Sequence, residues 1–398
     1  MLDGFRIADH SIRWAMIGGG EGSQIGAVHR AAARRDDNFQ LLAGVFSHDP
    51  QRCRDFGRRL GLDPARCYAD VPDMLAAEAR RADGIEAVSI ATPNAFHYEA
   101  CRAALEAGLH VVCEKPLCCS VAEAEELAAL AERRQCVAVA AYGYACHPMI
   151  QQARQMVRSG RLGRIRLINM SFAHGGDSRA DERDHRAVPW RSRPEQAGSS
   201  FILGDVGTHP LYLTEAMIPD FRIRRLLCTT RSFVPGRRLE DNAFVIMDLA
   251  ASASVAADAQ AYCWASSVNS GARHHHQVRL IGEKASLEWN DACPDQLRYE
   301  VDGRPEQILY RGMPYLDAAA RSEDRLAPCH PEGLNDAWAN LYRRFAAAVT
   351  GVEPASDDDF WYPDIRAGVR GVKWVDKCLE SARRGSTWVD VAAQEKSR

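Results

Sequence analysis

The sequence predicts an α/β protein of two domains, a doubly wound parallel sheet over residues 1–147 and a strand-rich α+β domain over 148–398. Three observations carry this. Short apolar, β-branched runs alternate strictly with amphipathic runs from Arg13 to Gly143. A glycine-dense loop, "GGGEGSQIGAVHR" (18–30), follows the first apolar run. From residue 163 onward the pattern changes to long alternating segments, two of them joined by an Asp-Gly turn. At 398 residues the chain also exceeds what one hydrophobic core usually organises.

The elements follow in order. "RWAMIGG" is a short buried strand, and Ala27 to Arg35 is helical. "FQLLAGVFS" (39–47) is the second strand. Asp49 and Pro50 then read as N-cap and first helical residue of a helix reaching Leu60, which Gly61 stops. "GIEAVSIATP" (84–93) is a strand ended by proline, and a helix runs on to Gly108. The strand "LHVVCEKP", a helix from Val121 to Arg134 and the strand "VAVAAYG" (137–143) complete the series. Alternation of this kind places the strands in parallel, with helices on both faces. In the second half, "GRIRLINMSFAH" (163–174), "NAFVIMDLA", "SVAADAQAYC", "HQVRLIG" and "ASLEW" read as strands, and "LRYEVDGRPEQILY" (297–310) as a hairpin.

A glycine loop between a strand and a helix lets backbone amides and a helix N-terminus approach a pyrophosphate. Gly18 and Gly20 begin the turn and Gly26 packs the helix on the sheet, but five residues, "EGSQI", stand between them. Gly20, Gly22 and Gly26 give the looser spacing GxGxxxG. A dinucleotide site selective for NAD places a carboxylate at the end of the second strand. Here that position is Ser47, with His48 and Arg52 nearby, a set that suits the 2′-phosphate of NADP. Asp49, two residues late and serving as a helix cap, would restore NAD if it swung back. The cofactor is therefore NAD or NADP.

The totals exclude other classes. A formal net charge of −3 with arginines and acids interleaved offers no basic field for nucleic acid. No run of 18 apolar residues suits a membrane span. The N-terminal stretch lacks the layout of a secretion signal. Thirteen scattered cysteines without zinc spacing read as reduced thiols in a cytoplasm, with no metal centre.

Two longer stretches carry a resemblance. "ATPNAFHYEACRAALEAGLHVVCEKPL" (91–117) and "SSFILGDVGTHPLYLTEAM" (199–217), with its Asp-x-Gly-x-His core, resemble signature segments of the Gfo/Idh/MocA oxidoreductases. The likeness continues through "GEKASLEW" (282–289) and "AGVRGVKWVDKCLESARRGSTW" near the C-terminus. The resemblance implies an N-terminal Rossmann domain binding NAD(P) and a C-terminal α+β domain with an open, mostly antiparallel sheet. It implies a substrate held between them beside the nicotinamide. It further implies a sheet face used for pairing, hence a homo-oligomer.

The resemblance also assigns roles. Lys115 follows a parallel strand at the edge where doubly wound sheets bind ligands, and is expected to orient and polarise a reacting hydroxyl. His209 is the expected general base, with Asp205, four residues earlier, orienting it or holding substrate. Pro210 requires a helix start near Thr208 or a kink there. Thr92, Pro93, Asn94 and His97 match the family's loop after the "GIEAVSIATP" strand. Thr92 and Asn94 are expected at the cofactor, whereas His97 reads equally as a helix-start residue. Glu114 reads as structural or cofactor-facing. Trp190 and Arg191 match a Trp-Arg pair that lines the cleft, and His330 reads either as a substrate contact or as a cap. The run His274-His275-His276 reads as a loop or sheet-edge feature, because alternating faces let at most two of the three share an ion.

Together these point to an NAD(P)-dependent oxidoreductase acting on a secondary hydroxyl of a sugar, cyclitol or similar polyol. A regulator that binds dinucleotide and sugar without turnover is the alternative, as is an NAD-dependent glycosidase of the same family.

Overall fold

The computed structural model describes residues 5–7, 10–179, 189–352 and 362–391. The chain divides into two compact units, each discontinuous in sequence. The first is Met1–Gly143 with Leu334–Val369, the second Tyr144–Gly333 with Arg370–Arg398. The break at 143/144 lies close to the boundary at 147 read from the sequence, and the first unit also takes in the late segment 334–369.

The first unit is built on five parallel strands in the order β2-β1-β3-β4-β5. These are β1 (Ile12–Gly18), β2 (Phe39–Val45), β3 (Ala87–Ala91), β4 (His110–Cys113) and β5 (Ala138–Ala140). Trp14, Met16, Val88, Ile90 and Val112 are fully buried, as strands covered on both faces require. The helices are α1 (Gln24–Arg34), α2 (Pro50–Arg59), α3 (Val71–Glu78), α4 (His97–Glu106) and α5 (Val121–Arg134). Side-chain oxygens cap most of them. Ser23 accepts from Gly26 N–H, Asp49 from Gln51 and Arg52, Asp70 from Asp73, and Ser120 forms a capping box with Glu123. The cap at Ser23 starts α1 three residues earlier than apolar periodicity indicates. The helix α3 was not expected from the sequence, because "VPDMLAAE" lacks a strong apolar stripe.

The second unit contains α6 (Pro148–Arg158), α7 (Pro194–Ala197), α8 (Thr208–Met217) and α9 (Ala318–Arg321). Helix α10 (Leu334–Thr350) belongs to the first unit, and α11 (Ile365–Arg383) begins in the first and continues in the second. The strands of the second unit are β6 (Ile165–Ala173), β7 (Ile223–Arg231), β8 (Asn242–Leu249), β9 (Val255–Ser266), β10 (His276–Gly282), β11 (Ala285–Asn290), β12 (Gln296–Val301), β13 (Gln307–Tyr310) and β14 (Val389–Asp390). They form one sheet in the order β13-β12-β11-β10-β6-β9-β8-β7-β14, in which β6 and β9 are the parallel pair. All other pairings are antiparallel. Helices α6 and α8 cover one face. The other face leaves Leu167, Phe244, Ile246 and Tyr262 exposed, with Phe244 stacked on Tyr262 and Trp264. β7 escapes sequence reading because "IRRLLCTTR" alternates with arginines rather than with neutral polar residues.

A buried arginine shapes the loop before α10. Arg311, 3% exposed, pairs with Asp295, Asp324 and Glu332 and donates to the carbonyls of Leu326 and His330. Among the described residues no helix is long and apolar enough to cross a membrane.

Candidate active site

In the first unit the strand order reverses between β1 and β3, and such switch points open a crevice at the carboxyl ends of the strands. Gly18 ends β1 opposite Ala91, and Ile90 lies opposite Cys113. The glycine loop, Thr92 and the Glu114-Lys115 pair therefore share one edge of the sheet. Gly26 sits in the first turn of α1, whose first turn contains no acid. A β-carbon on Gly20 would lie 2.2 Å from the Phe46 carbonyl oxygen, so only glycine lets these two backbones meet. Gly22 has φ +78°, with open space on the side a β-carbon would occupy. Thr92 Oγ1 is buried and has no hydrogen-bond partner among the described residues. An open glycine turn leading into a helix N-terminus, with an orphaned hydroxyl alongside, fits a dinucleotide pyrophosphate.

Ser47 lies just past β2, and its hydroxyl accepts from Asp49 N–H at 3.1 Å. The Asp49 carboxylate accepts from the N–H groups of Gln51 and Arg52 at 2.8 and 2.9 Å. The Arg52 amide above all holds this carboxyl below the usual aspartate range. Asp49 is thus ionised as a cap, and Arg52 is exposed beside it.

Lys115 is partly buried, and its peptide bond to Pro116 is cis. Its N–H donates to Glu114 Oε2 at 3.2 Å. Glu114, 6% exposed, also receives His29 Nε2 at 3.0 Å. Burial opposes its ionisation, but the hydrogen bond from His29, with the Lys115 ammonium close by, leaves its carboxyl below the usual glutamate range. His97 opens α4 as a fully buried residue. Its Nδ1 lies 2.8 Å from the Pro116 carbonyl and its Nε2 2.9 Å from the Thr92 carbonyl. Each carbonyl asks for an N–H donor, while burial pushes the imidazole pKa down. The ring stands between the Lys115 loop and the Thr92 loop, in hydrogen-bond reach of both. Asn94 is buried in the turn between β3 and α4.

In the second unit a one-turn π-helical segment, Leu203–Gly207, runs directly into α8, which starts at Thr208 as Pro210 demanded. Pro210 lies just after the π-helical turn, so the irregularity in the helix falls where proline's missing N–H would otherwise interrupt the ladder. The start of this segment is held by Glu240, whose carboxylate accepts from the Ser200 hydroxyl at 2.6 Å and from the N–H groups of Phe201 and Leu203. Asp205 accepts from Arg191 Nε at 3.2 Å, and the same guanidinium lies 4.5 Å over the Trp190 ring. Trp190 and Arg191 thus join Asp205 in one group. His330 is exposed, and its ring lies 3.3 Å from the Pro328 carbonyl in its own loop.

His209, 6% exposed, stands within an aromatic cluster. Tyr144 meets its ring edge-on at 5.0 Å between centroids, Phe172 lies at 5.8 Å and His276 at 6.1 Å. The register explains the grouping, because His276 on β10 pairs directly with Phe172 on β6 and the two rings stack at 4.4 Å. His274 packs edge-on against Phe172 at 4.4 Å, and its Nδ1 hydrogen-bonds Asp291. The histidine run therefore contributes two rings to the face that carries His209, which sequence reading assigned to a loop or sheet edge. Among the described residues no group of three or more His, Cys, Asp or Glu is arranged to hold a metal ion.

His276 is fully buried, and burial pushes its pKa down to about 3. An unfolded histidine takes up its proton near pH 6.5, so this contribution to stability is intact above that pH and is lost as pH falls towards 3. The loss amounts to about 2 kcal/mol between pH 6.5 and 5. His276→Phe is expected to gain about that much relative to the parent when urea unfolding at pH 5 is compared with pH 7. Parallel pH slopes in the two proteins would refute the assignment.

His29, Tyr342, Glu240 and Asp291 were missed from the sequence. Each meets a partner 17 or more residues away, and a polar residue's own neighbours along the chain give no signal of what it meets.

Comparison with known proteins follows the same division. The oxidoreductase family model GFO/IDH/MocA, NAD-binding Rossmann fold, matches residues 12–142, and that of the family's C-terminal alpha/beta domain matches residues 154–391. The uncharacterized oxidoreductase YfiI of Bacillus subtilis (strain 168) is 46% identical over 396 residues, 98% of this chain and 99% of its own. An inositol dehydrogenase homolog from Azotobacter vinelandii, solved in complex with NAD+, is 51% identical with a TM-score of 0.92. The match covers 98% of this chain and 100% of that one. The structure of an inositol dehydrogenase homolog from the same organism, complexed with NADH and myo-inositol, matches at 51% identity and TM-score 0.88, over 96% and 98% of the two chains.

Proposed function

This chain belongs to the Gfo/Idh/MocA oxidoreductases, and from that premise we propose that it is an NAD-dependent dehydrogenase of a cyclitol or closely related polyol, with Lys115, Asp205 and His209 as its catalytic residues. The observation that carries the reading is Lys115, held by Glu114 and the His97-tied loop at the sheet edge that also bears the glycine turn. A nicotinamide dinucleotide bound at that turn supplies the hydride acceptor.

In this reading the Lys115 ammonium hydrogen-bonds the reacting hydroxyl and stabilises the alkoxide character that develops there. His209 accepts the hydroxyl proton as the hydride departs, and reduction reverses the roles. Asp205, ion-paired with Arg191, supports the orientation of substrate and base. Phe172 and the partly exposed His274 suit a ring that presents C–H faces and hydroxyls in alternation. The Azotobacter protein named with NADH and myo-inositol supports both cofactor and substrate class. The ionised Asp49 cap supports NAD over NADP, since its charge beside Ser47 disfavours a 2′-phosphate. The exposed face bearing Phe244, Ile246 and Tyr262 is the surface we assign to self-association into a homo-oligomer.

Fluorescence titration with NADH and NADPH, followed by NADH formation from NAD+ and myo-inositol, tests this. NADH is expected to bind about tenfold or more tighter, ~1.4 kcal/mol, with turnover of the cyclitol. Tight NADH binding without turnover of any cyclitol or sugar would favour a regulator instead.

A further inference from the structure

An unbroken chain of hydrogen bonds crosses the interior of the first unit and ends on the loop that carries Lys115. Trp14 Nε1 donates to Ser89 Oγ at 2.9 Å. The Ser89 and Tyr342 hydroxyls are 2.6 Å apart, and Tyr342 Oη lies 2.7 Å from His29 Nδ1. His29 Nε2 lies 3.0 Å from Glu114 Oε1, and Glu114 Oε2 accepts the N–H of Lys115 at 3.2 Å. Trp14, His29 and Ser89 are 0% exposed, Tyr342 2% and Glu114 6%. Elements β1, α1, β3 and α10 thus line up behind one carboxylate, and α10 contributes Tyr342 by packing on α1.

The two ends, together with a singly protonated imidazole, set the direction of every bond. Indole can only donate and an ionised carboxylate can only accept. The Ser89 hydroxyl, receiving from Trp14, donates to Tyr342. Tyr342 in turn donates to His29 Nδ1, and the imidazole proton sits on Nε2, pointing at Glu114. Every donor is then used once and none is left over. Because the chain begins at an indole N–H, with no acceptor beyond it, it does not conduct protons to solvent. It is a brace.

We propose that His29 and Tyr342 are positioning residues for Lys115, acting through Glu114. The proposal rests on the reading of Lys115 as catalytic, and it assigns a role to the return of segment 334–369 to the first unit. The His29 Nε2 donor fixes one carboxylate oxygen of Glu114, which leaves the other oxygen to hold the Lys115 backbone. Without that donor the carboxylate is free to turn toward the Lys115 ammonium, which raises the lysine's pKa and withdraws it from substrate.

The test uses the full chain and four variants: Tyr342→Phe, His29→Leu, His29→Gln and Lys115→Met. Acetic anhydride labelling of Lys115 across pH, read by peptide mass spectrometry, reports the lysine's ionisation without any substrate. Turnover with NAD+ and myo-inositol, NADH affinity and thermal midpoint are measured alongside. Tyr342→Phe and His29→Leu are expected to raise the Lys115 labelling midpoint by about half a unit or more and to lower kcat about tenfold, with NADH affinity little changed. His29→Gln, which offers an N–H near the Nε2 position and an oxygen to accept from Tyr342, is expected to recover most of both. A lowered thermal midpoint with unchanged Lys115 labelling and unchanged kcat would overturn the proposal, reducing the chain to core packing. If Lys115→Met keeps full turnover, the catalytic reading of Lys115 fails, while the labelling midpoint still decides whether the brace acts on the lysine. Should His29→Leu not fold, Tyr342→Phe, which removes a single oxygen, and His29→Gln carry the decision.

Discussion

Lys115→Met is expected to lower kcat for myo-inositol oxidation by roughly 10³-fold while NADH binding stays within a few-fold of the parent. Methionine keeps the aliphatic stem, so the loop packing at Pro116 and Leu117 has little reason to change. What disappears is the cation that the proposed mechanism sets against the developing alkoxide. Removing a donor of that kind from a water-poor site costs about 10²–10³ in kcat, and the loss of substrate orientation adds to it. Separating kcat from dinucleotide affinity is essential, because Glu114 and Thr92 share the sheet edge and a collapsed loop would weaken both together. A variant retaining more than about a tenth of parental kcat would remove Lys115 from the chemistry.

His209→Gln is expected to cost about 10²–10⁴ in kcat/KM, the range general base catalysis supplies. Its second signature is in the pH profile. A neutral imidazole is the active form of a base, so parental kcat/KM should fall on the acid side as His209 takes its proton. In the glutamine variant that limb should be absent and the residual rate flat with pH. The stacked pair Phe172–His276 and the edge of Tyr144 hold the His209 ring in place. Glutamine fills much of the same space, which limits the structural cost. Retention of the acid limb in His209→Gln would assign that ionisation, and the base, to another group. His274, paired with Asp291 across the same phenylalanine, is the next candidate.

The parallel sheet was legible because alternation of buried strands and amphipathic helices is a local pattern, and Asp49 announces its helix within three residues. The roles expected of Lys115 and His209 came from short motifs of the same local kind. The histidine run was read as alternating faces, and that geometry holds, for His274 and His276 share a face. The periodicity does not say that Phe172, about a hundred residues earlier, lies opposite, since register between β6 and β10 depends on how the whole sheet is wound.

The sequence by itself therefore determined the fold class, the glycine turn, the Asp49 cap and the motif residues, because each is specified by neighbours along the chain. Only the tertiary structure decided that Asp205 pairs with Arg191, that Glu240 holds the π-helical segment, and that His29 and Tyr342 stand behind Glu114. Burial makes those partnerships obligatory, since a polar group taken from water must find a donor or acceptor inside. Which partner it finds is set by packing between elements far apart in sequence, and no local pattern encodes that choice.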